Sequence, residues 1–463
     1  MIRKLSFLFA GAVMGATAVT LVSGTAGFGV QAKAASSETF RQLNIFGDIF
    51  ERVRANYVEE PGESDMVEAA IKGMLTSLDP HSGYLNKREF SDMQTQTRGQ
   101  FGGLGIEVTL DQDTELVKVI TPMDDTPASR AGVLPNDLIF EIDGEPTRGL
   151  TLREAVDLMR GNVGSDIDLT LVREGADGPI DVTLTREVIK LQAVRSRVEG
   201  EDIGYIKITS FTGQTFDGLT RAIEKINNDL GKENVKGYVL DLRLNPGGLV
   251  DQAVSVSDAF LDRGEIVSLR GRDPQQNKRF NARPGDMVDG KPVIVLINGG
   301  SASASEIVAG ALQDLKRATV VGSRSFGKGS VQTIIPLAGN GALRLTTALY
   351  YTPSGKSIQA KGISPDITVA QPLPEDLQGR RSFERSEADL RGHIEVGEDE
   401  ETKDETVAED ADQDAPAEDE TAISSYVPAD PKDDVQLAFA MQLLRGEKTD
   451  PNFPPNENTP VPN

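Results

Sequence analysis

Apolar residues recur at helical spacing in the first part of the chain. Two sets repeat every three or four positions between residues 40 and 93: Leu43, Phe46, Phe50 and Val53, then Met66, Ala70, Met74 and Leu78. This spacing places the apolar side chains on one face of a helix. The pattern therefore predicts that residues 40–93 are mainly helical.

From residue 102 onward the apolar positions form short runs separated by turn-forming residues. The runs predict strands at residues 104–110, 116–120, 138–142, 167–172 and 180–184. A helix is predicted at residues 152–160, because Thr151 can cap it and Glu154 can complete a capping box. Several short strands with one or two helices indicate a small β-rich domain.

From residue 202 onward, predicted strands and helices alternate. Strands are predicted at residues 204–208, 235–242, 266–269, 292–297 and 319–322, and helices at residues 216–230, 252–260 and 304–315. This alternation is typical of a mostly parallel sheet with helices on both faces. The sequence therefore predicts an α/β core domain in this part of the chain.

The beginning of the chain has the features of an export signal. Arg3 and Lys4 precede an uncharged run at residues 5–31, and a small-x-small tripeptide follows at residues 32–34. Cleavage after Ala34 is predicted. An uncleaved membrane anchor is the alternative, since the run is long enough to span a bilayer. In both cases the body of the protein is expected in the periplasm or an equivalent compartment.

Charge is concentrated near the other end. Residues 384–432 hold 18 acidic and 4 basic residues, so they carry −14 of the net charge of −24. With few apolar residues, this segment is predicted to be disordered, and binding of cations or a partner protein is the alternative. A short amphipathic helix at residues 434–445 and a Pro-rich end are predicted to follow.

The composition excludes several kinds of site. Cysteine is absent, which excludes disulfides, zinc thiolates and a cysteine nucleophile. The two histidines are His81, in a turn-like stretch, and His393, in the acidic segment, so a Ser–His–Asp triad is not expected. No basic stripe is present to neutralise phosphates, so a nucleic-acid partner is not expected either. No metal or other cofactor is predicted.

A cluster of small residues opens the helix predicted at residues 304–315. Ser301, Ser303 and Ser305 alternate there with alanines, and Glu306 follows. Free N–H groups at a helix N-terminus suit a developing oxyanion. The same residues are also typical of a capping box and of tight packing. Spacing alone does not select one of the three serines.

Lys328 lies between two glycines shortly after a buried strand. A free lysine has a pKa near ~10.4, so only about one in 2,500 is neutral at pH 7. Burial can lower that pKa by about three units, and the amine could then act as a base. Gln332 in the following strand could orient it. The alternative is a lysine on a surface turn. Phosphate binding is not supported, because no Gly-x-x-x-x-Gly-Lys-Ser/Thr pattern precedes Lys328.

Two glycine-rich turns could donate backbone N–H groups. Residues 241–248 end a buried strand, where ligands gather in α/β sheets, and their Pro-Gly-Gly turn could donate to an oxyanion. Residues 101–108 place glycines before an apolar strand, so their amides could bind a carboxylate while the strand pairs with a peptide. Each turn is also consistent with an ordinary connection.

Together these motifs resemble the C-terminal processing peptidases, or tail-specific proteases, of the S41 serine peptidase family. The resemblance covers about residues 43–370. It is strongest at residues 301–306 (Ser-Ala-Ser-Ala-Ser-Glu) and residues 326–329 (Phe-Gly-Lys-Gly) with Gln332, and it is supported by residues 77–84, 241–248 and 362–367.

The resemblance implies a role for each motif. Ser303 would be the nucleophile, Lys328 the general base and Gln332 the residue that positions the lysine. An oxyanion hole would be formed by the N–H of Ala304 and an amide of Gly247 or Gly248. A PDZ domain would bind the carboxylate of substrate C-termini through Gly103, Leu104, Gly105 and Ile106, and it could gate the active site.

A multidomain α/β organisation follows. The expected parts are a signal peptide at 1–34, an N-terminal helical region at 35–95, a β-rich PDZ domain at 96–190, an α/β peptidase core of the crotonase/ClpP-like type at 191–373, a disordered acidic segment at 374–432, and a helix with a Pro-rich tail at 433–463.

Protein substrates bound by their C-termini are the expected partners. An adaptor protein and a homo-oligomer are left open, and inner-membrane contact is expected only if the N-terminal segment is uncleaved. One rival hypothesis is a PDZ scaffold that binds C-termini without cleaving them. The other is an acyl-CoA-handling enzyme with a crotonase-like core, which the export signal disfavours because the cosubstrate would be missing outside the cell.

Overall fold

The structure, a computed structural model, describes residues 37–374, 385–396 and 425–455. The predicted signal or anchor at residues 1–34 lies outside the described residues. The chain divides into two compact units, Met1–Ala70 and Ile71–Asn463. Within the described ranges, no helix combines the length and apolar character needed to cross a membrane.

The first unit holds helix α1 (Ser37–Asn56) and the beginning of helix α2 (Glu63–Thr76), as the helical spacing predicted. The apolar face of α1 is exposed at its large side chains: Phe40, Leu43, Phe46, Ile49 and Val53. The amphipathic pattern therefore forms the helix while its apolar side chains remain accessible.

The next part of the chain forms the β-rich domain and the segment that leads into it. Its elements are β1 (Gly83–Leu85), α3 (Lys87–Arg98), β2 (Gln100–Gly103), β3 (Ile106–Leu110), β4 (Val117–Pro122), α4 (Pro127–Arg130), β5 (Leu138–Ile142), β6 (Glu145–Pro146), α5 (Leu152–Met159), β7 (Asp166–Val172), β8 (Ile180–Thr185) and β9 (Glu187–Lys190). All five predicted strands and the predicted helix are confirmed. The capping box of Thr151 and Glu154 is present at α5.

The β-rich domain is built on antiparallel pairing. Strands β3, β4, β5, β7 and β8 form one sheet in that order, with β6 paired to β5. A separate pair, β2 with β9, joins the two ends of the domain. Apolar side chains from the sheet and from α5 make one buried cluster, which includes Val119, Ile139, Ala155 and Leu169.

The remaining elements form the α/β core. They are β10 (Val194–Glu199), β11 (Ile203–Ile208), α6 (Thr215–Leu230), β12 (Gly237–Asp241), α7 (Val250–Asp258), β13 (Glu265–Gly271), β14 (Lys278–Asn281), β15 (Val293–Ile297), α8 (Ala304–Asp314), β16 (Thr319–Gly322), β17 (Ser330–Pro336), β18 (Ala342–Tyr351), β19 (Ile367–Thr368) and α9 (Val435–Arg445). Short 3₁₀ helices lie at Lys232–Asn234, Pro274–Gln276, Glu387–Asp389 and Pro431–Asp433.

A six-stranded sheet in the order β10-β11-β12-β15-β16-β19 forms the centre of this core. β10 is antiparallel to β11, and every other neighbouring pair is parallel. Alternate residues of β11 show why both faces must be covered: Ile206 packs with α6, α7 and α8, whereas Tyr205 packs with α9. The predicted mostly parallel sheet with two covered faces is confirmed.

A buried ion pair network fastens α9 to the end of β12. Arg243 is fully buried, and its guanidinium donates to both oxygens of Asp241 and both oxygens of Asp434, the N-cap of α9, at 2.7–3.0 Å. A buried guanidinium without these partners would be costly. The C-terminal helix is therefore tied directly to the loop at residues 241–248.

A second, antiparallel sheet contains β1, β13, β14, β17 and β18. The sequence predicted a strand near β13 but assigned it to the alternating strands of the main sheet, and this assignment is wrong. β13 pairs with β14 and β18 instead. Hairpin β17–β18 carries Gln332, and β1 pairs with the start of β18.

The prediction of a disordered segment at 374–432 needs correction at residues 385–396 and 425–432, which pack in defined positions. Glu387 is fully buried, and its N–H donates to the carbonyl of Phe326 at 2.9 Å. The prediction rested on the net charge of the whole segment, whereas the carboxylate of Glu387 has its own buried partners. Residues 397–424 lie outside the described residues.

Candidate active site

Three of the predicted motifs meet at the carboxyl ends of β12, β15 and β16. The N–H of Ala302 donates to the carbonyl of Asn245 at 3.0 Å, and the N–H of Phe326 donates to the carbonyl of Ser301 at 3.0 Å. These bonds join residues 241–248, 298–303 and 323–329 into one cluster of loops. Parallel strands place their carboxyl ends at one edge, so the topology itself creates this cluster.

The three alternating serines differ in how their hydroxyls are used. Ser301 Oγ donates to the carbonyl of Leu242 at 2.9 Å, and Ser305 Oγ donates to the carbonyl of Asn245 at 2.9 Å. Among the described residues, Ser303 makes no such bond to a backbone carbonyl, and its side chain lies near the Tyr350 hydroxyl. Geometry therefore distinguishes serines that spacing left equivalent.

Ser303 has an unusual backbone conformation. Its φ is 55° and its ψ is −112°, at the N-cap of α8, and the residue is 6% exposed. A positive φ is uncommon for a residue with a side chain and clusters at functional sites. The strain is held by hydrogen bonds on both sides, from the Ser303 N–H to Glu306 Oε2 at 2.7 Å and from the N–H of Ile307 to the Ser303 carbonyl at 3.0 Å.

Glu306 connects Ser303 with Lys328. Its Oε2 accepts the N–H of both residues, at 2.7 and 2.9 Å, while its Oε1 accepts Ser325 Oγ at 2.5 Å and the N–H of Gly327 at 2.7 Å. Complete burial raises the pKa of Glu306 to about 7, and these four donors oppose that rise. The Ser-x-x-Glu spacing predicts only a capping role for Glu306, so this link to Lys328 could not be read from the local sequence.

Lys328 is partly buried, and burial lowers its pKa below the usual 10.5. The carboxylate of Glu387 is the largest influence in the opposite direction. Lys328 Nζ donates to Gln332 Oε1 at 2.7 Å. Among the described residues, no carboxylate forms an ion pair with this amine, and no hydrogen bond joins it to Ser303.

A β-bulge brings Gln332 to the lysine. The register of β17 against β18 shifts between Val331 and Gln332. Such a shift re-aims the side chains that follow it. The predicted proximity of Lys328 and Gln332 is therefore present, although nothing in the local sequence indicated a bulge.

Gly247 lies against Ser303, and the next residue, Gly248, lies against the backbone of Phe211. A Cβ on Gly247 would lie 2.8 Å from the Cβ of Ser303 and 2.9 Å from the N of Ala304, and its φ is +99°. Only glycine permits both that approach and that conformation. The N–H of Gly247 donates to Asn245 Oδ1 at 2.9 Å. Within the described part of the chain, the N–H of Gly248 has no acceptor, and that of Ala304 is an unpaired first-turn group.

The predicted carboxylate-binding residues of the β-rich domain lie together, apart from the serine cluster. They connect β2 with β3: Gly103, Leu104, Gly105 and Ile106. Gly105 has a φ of +75°, and a Cβ there would lie 2.3 Å from the Cβ of Thr126. Leu104 is buried in the domain core, and its carbonyl accepts the N–H of Ala128 at 3.1 Å. The turn is therefore fixed by packing on one side.

Neither histidine contacts the serine cluster. His81 Nε2 bonds to both carboxylate oxygens of Glu387, at 2.8 and 2.9 Å, and His393 Nδ1 bonds to the carbonyl of Leu390 at 3.0 Å. In the ranges that the structure describes, no three His, Asp or Glu side chains are grouped to hold a metal ion.

Comparisons with known proteins agree with this arrangement. Residues 202–369 match the model of peptidase family S41, residues 118–173 match that of a PDZ domain, and residues 11–89 match that of the activating protease CtpB N-terminal domain. A carboxy-terminal-processing protease of Bartonella bacilliformis is 54% identical over 460 residues, 99% of each chain.

More distant relatives are similar over most of the chain. Carboxy-terminal processing protease CtpA of Bacillus subtilis is 34% identical over 372 residues, 80% of this chain and 78% of the relative. The solved structure of a photosystem II D1 C-terminal processing protease is 31% identical, with a TM-score of 0.40, over 71% of this chain and 88% of that one. The chain with this loop cluster belongs to peptidase family S41, among the carboxy-terminal processing proteases.

Proposed function

We propose that the protein is an exported serine-type endopeptidase that binds protein C-termini through its PDZ domain and cleaves peptide bonds with Ser303 and Lys328. One observation carries this proposal. Ser303 is the serine of its cluster whose hydroxyl is not bound to a backbone carbonyl, and Glu306 Oε2 holds its N–H together with that of Lys328.

The proposed reaction proceeds through an acyl-enzyme. Neutral Lys328 accepts the hydroxyl proton of Ser303 while Oγ attacks the scissile carbonyl carbon. The lysine then gives that proton to the departing amine as the peptide C–N bond breaks. Water attacks the ester, passes a proton through Lys328 back to Ser303, and releases the new carboxylate. Net, one water is consumed for each peptide bond cleaved.

The developing oxyanion needs two donors. Since Gly247 N–H is committed to Asn245, the N–H groups of Gly248 and Ala304 are our assigned pair. Ala304 directly follows Ser303, and Gly248 directly follows Gly247, which packs against Ser303. Backbone donors fixed in this way need no reorganisation during the reaction. Gly247 and Gly248 are alternatives from the sequence alone, and the choice of Gly248 follows from the hydrogen bond that Gly247 N–H already makes.

Substrate binding is required to complete the site in this proposal. Lys328 Nζ is bound to Gln332, and among the described residues no hydrogen bond joins it to Ser303, so hydroxyl and amine must approach each other before proton transfer. Catalytic hydrogen bonds often form only in the substrate complex. We assign the trigger to C-terminus binding at Gly103, Leu104, Gly105 and Ile106 in the PDZ domain.

Replacement of single serines tests the nucleophile. Ser303→Ala is expected to abolish hydrolysis of casein and of a peptide with a free C-terminus. Ser301→Ala and Ser305→Ala are the matched controls, since they remove hydroxyls that are already bound to backbone groups. Their expected effect is a lower melting temperature with cleavage retained. Full activity of Ser303→Ala would contradict the proposal.

The non-catalytic scaffold is the competing function. It predicts that the peptide binds with equal affinity to wild type and Ser303→Ala, with no cleavage by either. Amidation of the peptide C-terminus separates the PDZ contribution, because it removes the carboxylate that the loop would bind.

Export is tested separately, by sequencing the N-terminus of the protein recovered from cell fractions. Cleavage after Ala34 is expected.

A further inference from the structure

A hydrogen-bond chain runs from a turn before β1 to the amine of Lys328. Thr346 Oγ1 donates to Asp79 Oδ1 at 3.1 Å, and Gln332 Nε2 donates to Thr346 Oγ1 at 3.3 Å. Lys328 Nζ donates to Gln332 Oε1 at 2.7 Å. Residues far apart in sequence are thus joined in one line that ends at the amine.

Asp79 fixes the direction of this chain. It is 4% exposed, and it accepts from the N–H of His81 at 2.8 Å, the N–H of Ser82 at 2.8 Å and Ser82 Oγ at 2.6 Å, besides Thr346. Burial raises the pKa of Asp79, but these hydrogen bonds outweigh it and lower the pKa overall. An ionised carboxylate can only accept, so Thr346 must donate to it.

The next link follows from the single proton of a hydroxyl. Because Thr346 Oγ1 uses its proton on Asp79, it offers lone pairs to Gln332, which lies directly opposite in the β17–β18 ladder. Gln332 must present its NH₂ group there, and its second amide proton goes to Ser330 Oγ at 3.0 Å. The amide oxygen is then turned toward Lys328.

We propose that Asp79 is a positioning residue of the peptidase, which holds the amide oxygen of Gln332 toward Lys328 by fixing the donor direction of Thr346. The inference rests on the proposed role of Lys328 as general base. If the direction were reversed, the NH₂ group would face the amine, two donors would meet, and Lys328 would lose its hydrogen-bond acceptor.

The turn is well placed for such a role. Ser82 Oγ accepts the N–H of Thr346 at 3.1 Å, and the following strand β1 pairs with β18, Gly83 opposite Arg344. Asp79 is therefore held at one end by its own turn and at the other by the strand that carries Thr346. The motif at residues 77–84, which the proposed reaction does not otherwise use, acquires a function.

Thr346 offers the cleanest test, because its substitution leaves Asp79 in place. In the full chain, Thr346→Val and Asp79→Asn are each expected to lower kcat on a free-C-terminus peptide about 10- to 100-fold, the loss of one hydrogen bond to a charged group. KM is expected to stay unchanged. Thr346→Ser, which keeps the hydroxyl, is expected to retain at least half of the wild-type kcat.

The matched control is Thr347→Val, one residue along β18, whose hydroxyl bonds only to Thr333 at an exposed position. It is expected to have wild-type kcat. Because Asp79 and Thr346 act in one chain, the double variant should be no slower than the slower single variant. Melting temperatures identify variants that do not fold.

Three outcomes separate the possible failures. A folded Thr346→Val protein with wild-type kcat, alongside an inactive Ser303→Ala protein, overturns the positioning role and leaves the peptidase intact. Additive losses in the double variant would also overturn it, since they would indicate two unrelated structural defects. Activity in Ser303→Ala would instead overturn the proposed function on which the inference rests.

Discussion

The loops that carry Ser303 and Lys328 lie side by side, but they are held in different ways. The Ser303 loop is fixed by its own residues and the neighbouring strand, for example by the bond from the N–H of Asn298 to Ser301 Oγ at 3.0 Å. The Lys328 loop depends on distant residues. Gln359 accepts the N–H of Gly329 at 3.0 Å, and the carbonyl of Phe326 accepts from Glu387.

This difference teaches which part of the site a sequence reveals. A nucleophile at a strand-to-helix turn leaves a compact motif, because the residues that position it are adjacent. The segment around Lys328 also carries a motif, but some of the groups that hold its loop and adjust the pKa of the amine come from distant segments of the chain.

The largest expected effect comes from removing the amine of Lys328. Lys328→Met keeps the length of the side chain and removes the amine. We therefore expect the cleavage rate to fall about 10²- to 10⁴-fold, which is the usual contribution of general base catalysis. The measurement is kcat on a free-C-terminus peptide. Wild-type activity in this variant would show that the two loops do not share one reaction.

The free energy of unfolding should respond to Lys328→Met differently from activity, because loss of this lysine should not destabilise the protein. The folded-state pKa of Lys328 lies below its unfolded value, so the folded protein binds fewer protons in the interval between them. The wild-type free energy of unfolding should therefore rise with pH across that interval. Lys328→Met should lack this rise and should be no less stable than wild type at neutral pH. Urea denaturation at several pH values checks this.

Glu306 is the shared element of the two loops, so its replacement should weaken both. In Glu306→Gln, one carboxylate oxygen becomes an NH₂ group facing N–H or O–H donors. We expect a cost of about 3 kcal/mol in the free energy of unfolding and a kcat reduced about 100-fold. Glu89→Gln is the matched control, since Glu89 completes the capping box of α3 away from the site. An equal loss of kcat and of unfolding free energy in both variants would indicate that Glu306 acts only as a helix-capping residue.

Much of the fold and half of the site could be predicted from the sequence. Continuous apolar runs at β12, β15 and β16 report burial on both faces, and the helix after Ser303 shows its N-terminus through its small residues. The antiparallel sheet could not be predicted, because β17 and β18 mix exposed and buried positions and their partner β1 is about 260 residues away along the chain.

The candidate site, like the fold, could be predicted from the sequence only in part. Ser303 and Lys328 were visible as motifs, whereas Glu387 was hidden by its acidic surroundings. Segment composition predicted a solvated chain there. What the composition could not show is that His81 and Gln359, from two other parts of the fold, bind this one carboxylate. Long-range partners decide its burial.

Replacement of Glu387 should have the smallest effect on kcat, because Glu387 influences Lys328 through its charge alone. The carboxylate raises the pKa of Lys328, against the lowering by burial. In Glu387→Gln that opposition is removed, so the lysine pKa should fall further and the amine should remain neutral at lower pH. The acid limb of kcat against pH should therefore move to lower pH, with little change in the plateau.

The control for this shift is Glu395→Gln in the same segment, where the side chain is exposed. It removes the same charge farther from the buried contacts and should leave the acid limb unchanged. An acid limb that moves upward in Glu387→Gln, or moves equally in both variants, would contradict the electrostatic role. A downward shift confined to Glu387 would mean that a residue more than fifty positions after the lysine sets the pH at which the base becomes available. The amine would then be adjusted by a segment that composition alone assigned to solvent.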